Sequence, residues 1–321
     1  MTGLVVALGE ALVELRTTQP LRTADTFRLS YSGDVLNAAA ASAAAGARTT
    51  LFSVVGADEL GDAILDRAGE LGVEVDHVVR APQSNGLYMV SADVVGDREF
   101  VYWRAGSAGS TLSPAHVDAA ADLFASAAGL VVSGITMAIS ASARDAALAA
   151  MKLVADAGGV VAYDPNVRPK LTGLADARDA FAAAAPLATV VTPSCPTDAR
   201  LLFDTDDPEV VAARCLALGA RAVTVTCGAR DVLVTDGSTP RVVPVPPNPD
   251  PVDATGAGDV FAGTLTARLV AGDQLADAVH LAAAAASLSV SGLGGTGHIP
   301  ALAETRRHAN AGVRTRLRRA P

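Results

Sequence analysis

The stretch Val160-Val161-Ala162-Tyr163-Asp164-Pro165-Asn166-Val167-Arg168 decides the fold. Its first four residues are a short apolar run, and a helical pattern over 141–157 leads into it. A short strand with no polar face fits a sheet covered on both sides. The loop that follows, stiffened by Pro165 and Pro169, lies at the carboxyl end of that strand, where open α/β sheets bind ligands.

Working outward, the same unit recurs. Residues 4–8, 50–55, 130–132, 189–192 and 222–226 read as further buried strands. Helical patterns over 35–45, 59–71, 114–128, 174–185 and 209–218 alternate with them. This rhythm predicts βαβ units and an α/β fold: a doubly wound, mainly parallel sheet with helices on both faces. Two hairpin-like strands, 231–235 and 241–244, and two helices, about 256–271 and 274–291, complete the pattern. No repeat of 20–50 residues is visible, and residues 1–321 read as a single domain.

One region breaks the rhythm. Residues 86–95 and 99–102 read as strands joined by Val95-Gly96-Asp97-Arg98, with Gly and Asp where a hairpin needs them. A two-stranded hairpin is not stable alone. It is expected to pack on the early segment, so that residues of about 11–31 and 86–104 form a small β lid. Lids of this kind exclude water and complete a site on closing.

Composition narrows the function. With Lys plus Arg at 25 and Asp plus Glu at 34, the formal charge is −9, and 50% of residues are hydrophobic. That excludes a disordered chain and argues against nucleic acid as a partner. Cys195, Cys215 and Cys227 make no disulfide framework, and the scattered histidines make no zinc spacing. The N-terminus lacks the basic start of a signal peptide, so a cytoplasmic location is expected. Two uncharged runs, 123–143 and 278–303, are long enough to span a bilayer, but serines and glycines break them, and no membrane partner is expected. The arginine-rich tail, 305–321, reads as a solvated terminal helix with a frayed end.

The chemistry lies in Asp253-Ala254-Thr255-Gly256-Ala257-Gly258-Asp259-Val260-Phe261-Ala262-Gly263, which opens a helix after a proline-rich loop. Small residues at 256–258 let a ligand approach the backbone. Free N–H groups and the helix dipole make an anion site there. A carboxylate at Asp259 beside that site can take a proton from an acceptor hydroxyl while the N–H groups stabilise phosphoryl charge. Phe261 occupies the place of the third glycine of a dinucleotide fingerprint, and neither lysine, Lys152 or Lys170, suits a P-loop. Taken alone, the pattern also fits a glycine-rich helix start whose Asp259 only complements the dipole.

Asp253–Gly263 resembles the C-terminal signature of the ribokinase-like, PfkB-type sugar kinases. Ser32-Gly33-Asp34-Val35-Leu36-Asn37-Ala38-Ala39 resembles their N-terminal substrate motif, with Ser32 in place of its first glycine. The resemblance implies a doubly wound α/β domain with a β lid. It also implies transfer of the γ-phosphoryl group of ATP to a sugar hydroxyl with Mg²⁺, a reaction that rests on positioning and electrostatics. It puts the catalytic base on Asp259 and the anion hole on Gly256, Ala257 and Gly258. Thr226-Cys227-Gly228 resembles the nucleotide-side turn, so Thr226 and Gly228, with Asn166, Gly256 and Gly258, are expected at the nucleotide. A monovalent cation such as K⁺ is implied near Asp253 and Thr255. Where the family often has Asn-x-x-Glu, tied to Mg²⁺ and phosphate, this chain has Pro193-Ser194-Cys195-Pro196-Thr197-Asp198. Asp198 stands in for the Glu, through water.

In Phe100-Val101-Tyr102-Trp103-Arg104, a strand puts Phe100, Tyr102 and Arg104 on one face, and Tyr88 lies on the partner strand. Arginine beside tyrosines suits an anionic, hydroxylated substrate, and Arg168 supplies a second cation. Tyr102-Trp103-Arg104-Ala105-Gly106-Ser107-Ala108 and Asp164–Arg168 resemble the lid and loop of 2-keto-3-deoxygluconate kinases. That resemblance implies that Tyr88, Tyr102, Arg104 and Arg168 grip the keto-acid end, with Gly33, Asp34 and Asn37 on hydroxyls. The plain alternatives are a surface strand cation at Arg104, a helix cap at Arg168, cross-strand packing of Tyr88 and Tyr102, and a helix-start role for Asn37. Glu10 and Glu14 read as lid or sheet-edge charges without a role.

The expected activity is therefore phosphorylation of a sugar acid, 2-keto-3-deoxygluconate to its 6-phosphate. A kinase of a neutral sugar or nucleoside is the near alternative. A non-catalytic nucleotide- or sugar-binding protein and an NAD-dependent oxidoreductase are the other classes. The family habit of lid pairing implies a dimer or larger homo-oligomer.

Overall fold

A computed structural model of the chain describes residues 3–92 and 98–317. In chain order its strands are β1 (Leu4–Leu8), β2 (Leu12–Thr17), β3 (Arg28–Ser32), β4 (Arg48–Phe52), β5 (Val54–Gly56), β6 (Val79–Ala81) and β7 (Leu87–Ala92). Then come β8 (Arg98–Trp103), β9 (Gly129–Ser133), β10 (Val160–Asp164), β11 (Val190–Val191), β12 (Val223–Cys227), β13 (Arg230–Thr235) and β14 (Arg241–Val243). Eight of them form one sheet in the order β14-β13-β12-β11-β10-β9-β1-β4. The pairs from β4 through β12 are parallel, and the last two, β12–β13 and β13–β14, are antiparallel.

The strand order reverses beside β1, whose neighbours are β4 and β9. Successive residues of each strand serve opposite faces. Val6 and Leu8 join a core with the helix Ala141–Asp156, while Val5 and Ala7 pack toward Asp34–Ala44. Helices on both faces explain why these strands are apolar throughout. The core is built from small aliphatics, so helices approach closely. Gly263 is the clearest case: a Cβ there would lie 2.0 Å from the Ala38 carbonyl oxygen. Its absence lets Ala257–Val270 rest on Asp34–Ala44, and with them the two sequence motifs from opposite ends of the chain.

A second sheet, β3-β2-β7-β8, forms the lid. The hairpin β7–β8 is antiparallel and β2 joins β7 in parallel, so the two lid segments share one sheet. The turn expected at Val95-Gly96-Asp97-Arg98 falls at residues 93–97, outside the described residues, except for its last position.

Two expectations need correction. The apolar run 50–55 is two strands: β4 stays in the main sheet, and β5 leaves it after Ser53 to pair with β6. A continuous apolar run carries no mark of such a switch. The helix expected over 114–128 breaks at Ala120 into Pro114–Ala119 and Ala121–Ser126. Each half buries one large side chain, Val117 and Phe124, and Phe124 meets Phe52 edge-on at 4.9 Å between ring centroids. Among the described residues the arginine-rich segment is helical as expected, within Leu302–Leu317, with Arg306 and Arg307 exposed. Among the described residues, no helix is long and apolar enough to cross a membrane.

Candidate active site

A cavity of about 950 Å³ lies between the lid and the carboxyl ends of the central strands. Of the residues singled out from sequence, all but Asp253 line it: Gly33, Asp34 and Asn37; Tyr88, Tyr102 and Arg104; Asn166, Arg168 and Asp198; Thr226 and Gly228; and 255–259. The expected residues are thus brought together, though several make contacts other than those expected.

Asp259 stands in the first turn of the helix Ala257–Val270. Gly256, the residue before the helix, has φ 81°, a conformation that L side chains rarely adopt, and a Cβ there would come 2.8 Å from Gly295 Cα. Among the described residues, none accepts from the N–H of Gly256 or Gly258. The N–H of Ala257 donates to the Ala254 carbonyl at 3.3 Å. The Ala257 N–H is thus engaged within the turn, while those of Gly256 and Gly258 stay open among the described residues.

Two amides hold the Asp259 carboxylate. Asn37 Nδ2 donates to Oδ2 at 2.8 Å, and Asn166 Nδ2 donates to Oδ1 at 3.3 Å. Both asparagines were expected on ligands, Asn37 on a sugar hydroxyl and Asn166 on the nucleotide; here they orient a carboxylate. Asn37 also accepts from Ser32 Oγ at 3.1 Å, so the serine that replaces the first glycine of the motif fixes the amide's orientation. Burial and the nearby Asp34 charge push the Asp259 pKa up to about 7, against the pull of Asn37, Arg168 and Asn166. The residue keeps part of its surface open to the cavity, so this carboxyl is both reachable and basic near neutral pH.

The lid side carries buried charge that the sequence did not reveal. Glu10, 0% exposed, accepts from Arg104 Nε and Ser107 Oγ. Gly86 and Gly109 make room for it, since a Cβ on either would come within 2.4 Å of its side chain. Glu10 is thus the counter-ion of Arg104, not an edge charge. Arg104 is 5% exposed, which removes the surface-cation reading, and its charge is already matched. Its Nη2 and Asp34 Oδ1 are buried without hydrogen-bond partners and lie 3.8 Å apart. Ser133 Oγ donates to the other Asp34 oxygen. Burial raises the Asp34 pKa, opposed by Arg104 and Ser133. Gly33, with φ 126°, lets this turn approach Glu10, whose carbonyl oxygen a Cβ would meet at 2.5 Å.

Tyr88 sits directly across from Tyr102 on β8, and Phe100 stacks beside Tyr102. The cross-strand packing reading therefore holds for the rings. The Tyr88 hydroxyl is not free for a substrate carboxylate: it donates to Glu14 and lies 3.4 Å from Ser32 Oγ. Glu14 is buried and also accepts from Ser30 and Arg16. Burial raises the Tyr102 pKa, and the charges of Arg168 and Arg104 oppose it. Arg168 Nη1 donates to the Val167 carbonyl, its own neighbour rather than a helix end. Among the described residues, no carboxylate lies within ion-pair distance of it. Lys170 Nζ donates to the Phe100 carbonyl at 2.8 Å and ties this loop to the lid.

On the other side of the cavity, Thr226 and Gly228 line the wall, and Gly228 has φ 63° with open space beyond it. Thr192, at the end of β11, also lines the cavity and has a buried hydroxyl without a partner; the sequence reading gave it no role. Asp198 is almost fully buried. Its Oδ1 accepts from the Val167 N–H at 2.9 Å and its Oδ2 from the Ser194 N–H at 2.8 Å. It clamps two loops, and both oxygens are engaged. Asp164, which the sequence reading quoted but left without a role, has its pKa raised well above the usual range by burial and by the Asp198 and Asp259 charges.

Among the described residues, no group of three His, Cys, Asp or Glu side chains could hold a metal. A divalent cation would therefore have to be carried in on phosphates, as Mg²⁺ usually is, with Asp164 lining the cavity beside it. A monovalent cation at Asp253 does not fit. Asp253 Oδ1 accepts from the N–H and hydroxyl of Thr255, and Oδ2 accepts from the Gly294 N–H. The Arg16 guanidinium lies 2.9 Å from the same Oδ2. The expectation of K⁺ at Asp253 and Thr255 thus meets a site already holding a cation.

Comparison with known proteins agrees with this geometry. A family model described as pfkB family carbohydrate kinase matches residues 2–302. A 2-dehydro-3-deoxygluconokinase of Thermoproteus tenax is 34% identical over 304 residues, covering 92% of this chain and 91% of that protein. A 2-dehydro-3-deoxygalactonokinase of Haloferax volcanii is 30% identical over 295 residues, covering 90% and 91%. An E. coli protein described as a ribokinase II, solved with ATP and Mg²⁺, superposes with a TM-score of 0.86 at 26% identity, covering 97% of this chain and all of that one.

Proposed function

Since the chain belongs to the pfkB family of carbohydrate kinases, we propose that it transfers the γ-phosphoryl group of ATP to the 6-hydroxyl of 2-keto-3-deoxygluconate (2-dehydro-3-deoxygluconate). The observation that carries the reading is Asp259: a carboxyl poised near neutral pH, held by two amides, beside open backbone donors and beneath a lid.

In this reading Asp259 accepts the proton of the hydroxyl as that oxygen attacks phosphorus, and the ADP oxygen leaves on the opposite side. Gly256 and Gly258 direct their N–H groups, with the helix dipole behind them, at the developing phosphoryl charge. The amides of Asn37 and Asn166 keep the carboxylate from rotating away. Asp164, which lines the cavity, would stand near an Mg²⁺ carried on the phosphates, which would supply charge neutralisation there, while Asp198, both of whose oxygens are engaged, would add only its charge. Thr226, Gly228 and Thr192 border the nucleotide. Asp34 and the unpartnered Arg104 Nη2 meet substrate hydroxyl and carboxylate oxygens, Tyr102 borders them, and Arg168 brings the charge that is not yet matched. We read the whole chain as one kinase domain in the cytoplasm, with the lid inserted at about 11–31 and 86–104. The exposed Leu29 and Trp103, 48% and 52% exposed, support association through that lid.

One observation favours a second reading. Because Glu10 neutralises Arg104, the site offers less positive charge than two free arginines would, which also suits a neutral sugar such as fructose. The test is ADP release from Mg-ATP against 2-keto-3-deoxygluconate, its galactonate epimer, fructose, ribose and adenosine. Turnover on the keto acids supports the first reading. Turnover on fructose or ribose alone transfers the site to a neutral sugar.

A further inference from the structure

The unexplained charge in this molecule is Arg16. It lies on lid strand β2, is 6% exposed, and makes two charged contacts. Its Nε donates to Glu14 at 3.3 Å and its Nη2 lies 2.9 Å from Asp253 Oδ2. Neither Nη1 nor Nη2 has an aligned hydrogen bond, so the contact with Asp253 is one of charge more than direction. A buried, unshielded guanidinium is retained only against a matching anion.

The anion it matches governs the catalytic turn. Asp253 fixes Thr255 through two hydrogen bonds, and Thr255 leads into Gly256 and the open N–H groups. Asp253 also accepts from Gly294, whose loop lies against Gly256 through Gly295. Glu14 presses on the same loop: a Cβ at Gly294 would come 2.6 Å from Glu14 Oε1. One lid strand thus sets both loops that shape the anion hole.

We propose that Arg16 is a positioning residue for phosphoryl transfer: its guanidinium holds the Asp253–Thr255 loop and takes the place of the monovalent cation implied there by the family resemblance. The consequence is a kinase indifferent to K⁺. A metal ion at Asp253 would have to displace the guanidinium or sit beside a like charge, and the carboxylate oxygens are already engaged. This inference goes beyond the substrate assignment and stands apart from it.

The test compares wild type, Arg16→Met and Arg16→Lys in KCl, NaCl and choline chloride at equal ionic strength. Wild-type ADP release should agree within about twofold across the three salts, and the Tm with Mg-ATP should not rise specifically in K⁺. Arg16→Met should lower kcat roughly tenfold or more while KM for the acceptor stays within about threefold, because the loop acts on the transition state. Arg16→Lys should recover most of that loss. The proposal is overturned by K⁺ activation of the wild type, by a K⁺-specific Tm rise, by full kcat in Arg16→Met, or by a Lys variant as impaired as the Met variant. If Arg16→Met does not fold, the wild-type salt series and Arg16→Lys decide. The Tm measurement needs no acceptor, so an error in the sugar assignment leaves it intact.

Discussion

Asn37 and Asp259 are 222 positions apart in the chain, and the amide of one donates to the carboxylate of the other at 2.8 Å. That bond joins the two motifs whose presence in one sequence suggested a sugar kinase. It forms because Gly263 lets the two helices that carry them touch at backbone distance. Asn37 therefore holds the Asp259 carboxylate, and the first predictions concern the role of base proposed for it.

Asp259→Asn keeps the shape and removes the proton acceptor. We expect kcat to fall by roughly 10²–10⁴-fold with little change in the KM for ATP. Steady-state ADP release measures it, and a variant within tenfold of wild type would remove Asp259 from the role of base.

In the proposed role Asp259 works ionised, and its pKa is raised to about 7, so kcat/KM should climb with pH to a midpoint near 7. Asp34→Asn removes a charge that lifts this pKa and should move the midpoint down. Asn37→Leu removes a donor that lowers it and should move the midpoint up. A midpoint that stays fixed in both variants assigns the limb to another group.

Stability should show the same group with its own sign. Ionised Asp259 is disfavoured in the folded chain, so its contribution is most favourable below the unfolded pKa of 3.8 and is lost as pH rises toward 7. Asp259→Asn should therefore melt higher than wild type at pH 8, by about 2–4 °C, with the gap closing below pH 4. Thermal unfolding at the two pH values, read as a difference between variant and wild type, tests this.

Glu10→Gln leaves Arg104 buried without its counter-ion. Breaking such a pair costs about 3–5 kcal/mol, so denaturant unfolding should shift by that amount even though Glu10 lies off the reacting atoms. A loss below about 1 kcal/mol would mean that water or another group relieves the arginine.

Arg168 lines the cavity, and among the described residues no carboxylate lies within ion-pair distance of it. Arg168→Met should raise KM for a keto acid by roughly 10–100-fold, the worth of a charge-assisted hydrogen bond, and change KM for fructose little. Equal effects on both would show that the residue does not read the carboxylate.

Much of this was legible beforehand. Strand and helix alternate with local periods that side-chain polarity records, so β1, β9, β10 and β12 appear where apolar runs stand. The glycines of the two motifs mark backbone turns that few other residues permit. What was hidden shares one physical cause. The β4–β5 switch and the break at Ala120 are set by partners in space, and a run of Val or Ala carries no record of them. The same holds for charge. Glu10 looks like any surface acid until Arg104, 94 positions later, meets it in the interior. Glu14 and Arg16 gain their meaning only from Tyr88 and Asp253. The sequence by itself determined the α/β architecture and placed Asp259 and the glycines beside it at the start of a helix, because these depend on local conformation and on motif chemistry. The tertiary structure decided which charges are spent internally and which line the cavity, because a buried ion's free energy depends on its neighbours in space and not on its neighbours in the chain.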